Sequence, residues 1–328
     1  MGEMQRLGVF SLLACVLLLA ACGSAASQPA ASPTATPSPR PSPTLRVTAS
    51  PTATAALTPS SAPTPLPAAP PTRAPTAAPA PPPPPVTPPV PPINLYHPPP
   101  YKIAIDAGHG GPNYIGAAHT DATGHVDLRE KDVTLDVALR LNDILLAAGY
   151  ETVLTRGGDY TLTDFPADTA DNRHNEIQAR VDVVNAAQAD ILVSIHFNGS
   201  PDPSTGGTEV YCDPDRSFGA NSCALGDLVR QTLVSAIRGF GYDTLDRGLK
   251  NDSQIGGDPS NPHSWILGEN PTFQRPSLMP GIIGEGLFVS NDVEAQLLQD
   301  PNALQTIAEG YHAGIDAYFG WLSAQQPQ

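Results

Sequence analysis

Four polar residues stand where short apolar runs end or a helix begins. His109 follows the run 102–106, inside the glycine-rich turn 107–111. His196 closes the run 190–196, and Glu285 closes 281–285. Glu130 sits at the foot of an amphipathic stretch, after a 20-residue loop that starts beyond His109. Two imidazoles and a carboxylate, from Glu130 or Glu285, suit a zinc ion with three protein ligands and a fourth position open to water. Taken singly, each has an ordinary role. A histidine after a strand is commonly a packed or surface side chain, and Glu130 alone is a helix-start carboxylate favoured by the macrodipole. Glu285 alone could pair with an arginine. His119 and His125 lie between His109 and Glu130, so either could replace a ligand. The glycines of the 107–111 turn lack GxGxxG spacing and the lysine of a P-loop, which argues against nucleotide binding.

For such residues to meet, their elements must share one edge of a sheet. Lys102–Asp106, Glu151–Thr155, Asp190–His196, Thr208–Cys212 and Gly281–Glu285 read as strands. Lys131–Ala148 reads as a helix, with Val133, Val137, Leu141 and Leu145 on one face and Gly149 as its stop. Ile177, Val181 and Val184 mark a second helix, and Leu225, Leu228, Val229 and Ile237 a third. Asp300 caps a long terminal helix with Pro301 in its first turn. Strands alternating with helices predict one α/β domain, a mostly parallel twisted sheet with helices on both faces. In open sheets of that kind ligands bind beyond the carboxyl ends of the strands, where His109, His196 and Glu285 fall.

Composition confines this fold to the C-terminal two-thirds. Of 39 prolines, 27 lie between Pro29 and Pro100. A stretch that rich in Pro, Ala, Ser and Thr buries too little apolar surface to offset its ordering entropy. Residues 23–100 are therefore predicted to be a disordered linker and 101–328 the folded domain. Extended as polyproline II, 78 residues reach ~240 Å, and as a flexible coil nearer ~50 Å. Residues 1–100 carry four arginines against Glu3, a net of +3; with −15 for the whole chain, 101–328 carries −18. So acidic a domain repels phosphate backbones, and no nucleic-acid partner is expected. Arg6 precedes an apolar run from Leu7 to Ala21, too short for a comfortable membrane span. The tetrapeptide 19–22 followed by Gly23-Ser24 resembles the lipobox of bacterial lipoproteins, which implies cleavage before Cys22 and its lipidation. Residues 1–22 are then an export signal, and the linker a spacer from membrane to an extracytoplasmic target. Cys212 and Cys223 remain as an even pair for a disulfide in an exported chain.

The segments 105–111, 129–131, 194–198 and the one around Glu285 resemble, in order, those of the zinc-dependent N-acetylmuramoyl-L-alanine amidases. Residues 153–156 and 180–190 match in kind, so the resemblance spans about 101–322. It implies one Zn²⁺ held by His109, Glu130 and His196, with Glu285 as the catalytic glutamate. The implied substrate is peptidoglycan, cut at the amide between the lactyl group of N-acetylmuramic acid and the stem peptide's L-alanine. Two other functions stay open: a peptidoglycan-binding wall-attachment module without activity, and a zinc peptidase acting on another amide. A dead relative is expected to lose Glu285 or a metal ligand, and this chain keeps all four.

One departure concerns the backbone after Glu285. The family usually has glycine two residues on; here Gly286 comes first and Leu287 holds that place. The segment 251–280, rich in Gly, Pro and Asn, contains His263, Trp265, Glu269, Phe273 and Arg275. Its length suggests a rim or lid beside the Glu285 strand, or equally a packed surface insertion. Arg180 is expected to pair with an acid that supports the site, and Asn198 either to form a turn or to bond substrate. His174 and His312 read as surface or helix residues, and Trp265 and Trp321 are too few for a glycan-stacking platform.

Overall fold

The computed structural model describes residues 96–255, 263–269 and 275–325. Cys22, the expected export signal and the expected linker up to residue 95 lie outside the described residues. In chain order the elements are β1 (Lys102–Ala107), β2 (Ala118–Thr120), β3 (Val126–Arg129), α1 (Glu130–Ala147), β4 (Glu151–Leu154), α2 (Ala170–Ala187) and β5 (Ile191–Asn198). There follow β6 (Thr208–Cys212), α3 (Gly219–Gly239), β7 (Asp246–Asn251), β8 (Gly281–Phe288), α4 (Asp292–Leu298) and α5 (Pro301–Ala324). Among the described residues no helix is long and apolar enough to cross a membrane.

Six strands form one sheet in the order β4-β1-β5-β8-β6-β7, parallel except where β6 runs against β8. The mostly parallel α/β sheet expected from the alternation is therefore present. Its apolar strands read as continuous runs because both faces are covered. Alternate residues divide the core. Ile103, Ile105, Ile191, Val193, Ile195 and Ile282 point towards the cluster built with Val137 and Leu141 of α1, Val229 of α3 and Tyr311 of α5. Ala104, Leu192, Tyr211 and Ile283 face the other way, against Val181 and Val184 of α2. Ile266, Leu267 and Met279 complete that second layer. The described parts of the 251–280 segment are thus a packed cover for the sheet; Phe273 lies outside the described residues.

Helix boundaries follow their caps. Asp300 accepts from the Asn302 N–H ahead of Pro301, and Thr169 accepts from Asn172, which starts α2 a full two turns before Ile177. Gly149 takes a φ of +91° just past α1, as its reading as a stop requires. Elements without an apolar run escaped the sequence reading. β7 is an edge strand of Asp, Arg, Gly, Leu, Lys and Asn, and charge on an edge discourages further pairing. β2 and β3 pair within the loop that leads to Glu130. Cys212 and Cys223 are bonded, joining the end of β6 to α3. His97 Nε2 lies 2.7 Å from Asp190 Oδ1, so the chain is already tied to the domain ahead of Tyr101.

The departure after Glu285 is absorbed by the sheet. His196 pairs with Glu285 and Asn198 with Phe288, so Phe197 faces both Gly286 and Leu287. The extra residue is a bulge in β8. Leu287 is fully buried within it, and a Cβ on Gly286 would lie 3.0 Å from the Phe197 ring.

Candidate metal and catalytic centre

β1, β5 and β8 end at the same edge. β1 places Ala107 beside Ile195, and β5 places His196 beside Glu285. Glu130 arrives as the first residue of α1, where the Ala117 and Phe197 N–H groups donate to its Oε2 and Oε1 at 2.7 and 3.2 Å. His109 Nε2 lies 3.1 Å and His196 Nδ1 2.9 Å from Glu130 Oε1. Each of the three residues offers one ligand atom within 4.8 Å of the others. Neighbouring ligand atoms of a tetrahedral zinc site stand about 3.4 Å apart, from bond lengths near 2.1 Å. The donor set and its spread both fit zinc.

Close approach requires glycine at two points. A Cβ on Gly108 would meet the His196 ring at 2.3 Å, and one on Gly116 would meet Glu130 Oε2 at the same distance. His109 itself has a φ of +61°, a left-handed conformation uncommon outside glycine. The surrounding structure holds it there through two buried arginines. Arg180 donates to the carbonyls of Ala107 and His109, both at 2.6 Å. Arg156 donates to those of Ala107 and Gly108, at 2.8 and 2.9 Å.

Arg180 also pairs with Asp106 at 3.0 Å and Glu176 at 2.9 Å, with all three side chains at most 2% exposed. Its expected role as a support paired with an acid is what the geometry shows. Burial alone would raise the Asp106 carboxyl; the Arg180 guanidinium, with the Thr155 and Ser194 hydroxyls, holds it at about 2 instead. Arg180→Met leaves two buried carboxylates without their counter-charge, so a loss of about 3–5 kcal/mol in unfolding free energy is expected, measured by urea denaturation.

Electrostatics divide the four central groups. Burial pushes the His109 imidazole below its ordinary range. Burial opposes charge on His196 too, but its bond to Glu130, with Glu285 and Asp106 near, raises it. Glu130, despite burial, is held well below the carboxylate range by the two imidazoles. Glu285 goes the other way. Burial raises it to about 8 with help from Glu130 and Glu209, against the opposing pull of His196. Its Oε2 is shielded from solvent and has no hydrogen-bond partner among the described residues.

Two hollows flank Glu285. A cavity of about 170 Å³ lies among His109, Tyr114, His196, Ile266 and Glu285. A hollow of about 380 Å³ beyond it is lined by Asn198, Glu209, Arg247 and Lys250, and Ile255 borders both. Ser264 and Ile266 of the 251–280 segment form a wall of the first. Glu209 stands opposite Glu285 across β6 and β8. It accepts from Asn198, Tyr211, Arg247 and Lys250, which hold its charge beside Glu285. Asn198 serves a turn as well, accepting from the Gly199 N–H.

Sequence reasoning missed Glu209, Arg247, Lys250 and the role of Arg156. The first three lie on strands whose polar residues carry no spacing signal. His119 belongs elsewhere: it faces Asp127 at 2.6 Å and Asp292 at 3.2 Å, while His125 is exposed in the β2–β3 turn. Neither joins the His109–Glu130–His196 group. His174 lies against Trp265, and His312 lies 3.3 Å from Asp316 on α5.

Known proteins share this arrangement of sequence and fold. The sequence profile of the family described as N-acetylmuramoyl-L-alanine amidase matches residues 103–317. The germination-specific N-acetylmuramoyl-L-alanine amidase of Bacillus subtilis is 31% identical over 218 residues, 66% of this chain and 79% of that protein. The catalytic domain of CwlV, an N-acetylmuramoyl-L-alanine amidase from Bacillus (Paenibacillus) polymyxa var. colistinus, superposes with a TM-score of 0.51. It is 27% identical, and the match covers 67% of this chain and 98% of that domain. The CwlD amidase of Clostridioides difficile shares the fold with a TM-score of 0.55 at 24% identity, over 67% of this chain and 99% of that one.

Proposed function

Because this chain belongs to the N-acetylmuramoyl-L-alanine amidase family, we propose that it hydrolyses the bond between the lactyl carbonyl of N-acetylmuramic acid and the L-alanine nitrogen of peptidoglycan through one zinc site. His109, Glu130 and His196 would hold the ion and Glu285 would handle the proton. The observation that carries this reading is the meeting of those three candidate ligand atoms within 4.8 Å, beside a carboxyl oxygen without a hydrogen-bond partner among the described residues.

A zinc ion at that position supplies Lewis acidity, polarising the carbonyl and easing loss of a proton from water. Glu285 then has two tasks. Its carboxylate takes the proton from water as the new C–O bond forms. It returns that proton to the alanine nitrogen as the C–N bond breaks, so that a carboxylic acid and a free amine leave. A carboxyl positioned beside the reacting atoms can carry the proton in both directions. Arg180 and Arg156 hold the backbone that aims His109.

The sequence supports an address for this activity. Residues 1–22 act as a lipoprotein signal, Cys22 carries the lipid, and residues 23–100 span from membrane to wall around the domain 101–328. Several acyl chains would hold such a protein firmly where one would not.

Incubating the chain with purified peptidoglycan and analysing the products by mass spectrometry tests the reaction. Free stem peptides beginning with L-alanine are expected. Released sugars or shortened peptides would assign another bond, and binding without release would make the protein an attachment module.

A further inference from the structure

A second cluster of ligand-type side chains lies outside the Glu285 centre. Asp213 and Asp215 follow β6 just past the Cys212 disulfide, and His263 reaches them from the 263–269 segment. Each offers a ligand atom within 4.8 Å of the others. His263 Nδ1 lies 3.5 Å from Asp213 Oδ2, and His263 Nε2 lies 3.6 Å from Asp215 Oδ2.

Carboxylates gathered on a surface need no ligand, but Asp213 is not on the surface. Its side chain is 3% exposed, and its Oδ1 accepts from the Asp215 N–H at 2.8 Å. Its Oδ2 is shielded from solvent and among the described residues has no hydrogen-bond partner, His263 Nδ1 standing beyond a bond at 3.5 Å. That oxygen points into the cluster: a Cβ on Gly268 would meet it at 3.0 Å and the His263 Cβ at 2.2 Å. The spot is kept open by glycine. A buried carboxylate oxygen without a partner is costly unless a cation or donor reaches it. Arg216, the neighbouring guanidinium, bonds instead to the carbonyls of Leu267 and Ser277.

The histidine is oriented as well. Fully buried Asp252, at the end of β7, lies 3.0 Å from His263 Nδ1 through Oδ1 and accepts from the Ser264 N–H through Oδ2. A carboxylate behind Nδ1 sets the tautomer that leaves Nε2, the nitrogen facing Asp215, as a ligand. An imidazole with carboxylate oxygens suits a zinc-class ion better than calcium, which takes oxygen alone.

We propose that Asp213, Asp215 and His263, oriented by Asp252, bind a second divalent ion of the zinc class. It would join three chain segments, the end of β6, the turn after β7 and the stretch whose Ser264 and Ile266 wall the small cavity. Its role is structural: it braces that wall and stands apart from the proton transfer at Glu285.

Titration of the chelated full chain with ZnCl₂, read as bound equivalents by metal analysis, decides the matter. Two equivalents are expected for the natural chain. Asp215→Asn should bind one, and so should His196→Ala, each having lost a different ion. Asp215 is 69% exposed, so its substitution does not threaten folding; Asp213→Asn provides a second variant with the same expected loss. A natural chain that binds fewer than two equivalents, with none lost in Asp215→Asn, overturns the proposal, as do two equivalents in both. One equivalent that vanishes in Asp215→Asn yet survives in His196→Ala upholds the second site and defeats the zinc reading of the first.

Discussion

Glu285→Gln should cut the release of stem peptides from peptidoglycan by about 10²–10⁴-fold, the usual contribution of a positioned acid–base group. Glutamine copies the size of the neutral carboxyl but can neither accept the proton from water nor pass it on. The proposed metal ligands His109, Glu130 and His196 are untouched, so bound zinc should equal that of the natural chain. A structural cause for the loss can be separated by its sign. Glu285 is raised from 4.5 to about 8, so between those pH values the unfolded chain has released a proton that the folded chain retains. Stability of the metal-free protein should therefore fall as pH rises through this window. The glutamine variant carries no such proton and should lose less. Urea denaturation of chelated protein at pH 5 and pH 8 measures the difference. Turnover near that of the natural chain would remove Glu285 from the mechanism.

His196→Ala attacks the same reaction through the ion. The ring lies 2.9 Å from Glu130 and fills the space over Gly108, so alanine would remove a proposed ligand and leave a gap there. Loss of a partner that merely orients a ligand weakens metal binding 10–100-fold, and loss of the ligand itself should exceed about 100-fold. The variant should emerge from dialysis without the first-site zinc and without measurable amidase activity, while its circular dichroism stays native. Retained activity in a variant that has lost this zinc would mean that the His109–Glu130–His196 group does not serve the reaction.

Much of the architecture was readable because it rests on short-range rules. Continuous apolar runs gave β1, β5 and β8, apolar spacing gave α1 and α3, and Asp300-Pro301 announced α5. Where the rule was weak, so was the reading. The start of α2 depends on Thr169 rather than on its apolar residues. β7 is held by its pairing with β6, and its own residues favour no strand. At the centre, His109, His196 and Glu285 were visible as polar residues at strand ends. Glu130 needed the family resemblance, since a glutamate at a helix start is ordinary by itself.

Glu209, Arg247 and Lys250 show the opposite case. They are distant in sequence, and nothing in their spacing ties them to Glu285. Antiparallel pairing of β6 with β8 sets Glu209 opposite Glu285, and parallel pairing with β7 then delivers the two cations. The support beneath His109 has the same origin, because Arg156 and Arg180 come from different segments and meet at the Ala107 carbonyl. Strand identity and strand-end chemistry are local, written in runs of five to eight residues. The charge state of Glu285, the conformation of His109 and the grouping of Asp213 with His263 depend on burial and long-range register. Those quantities exist only once the sheet is assembled and water has been excluded from its edge.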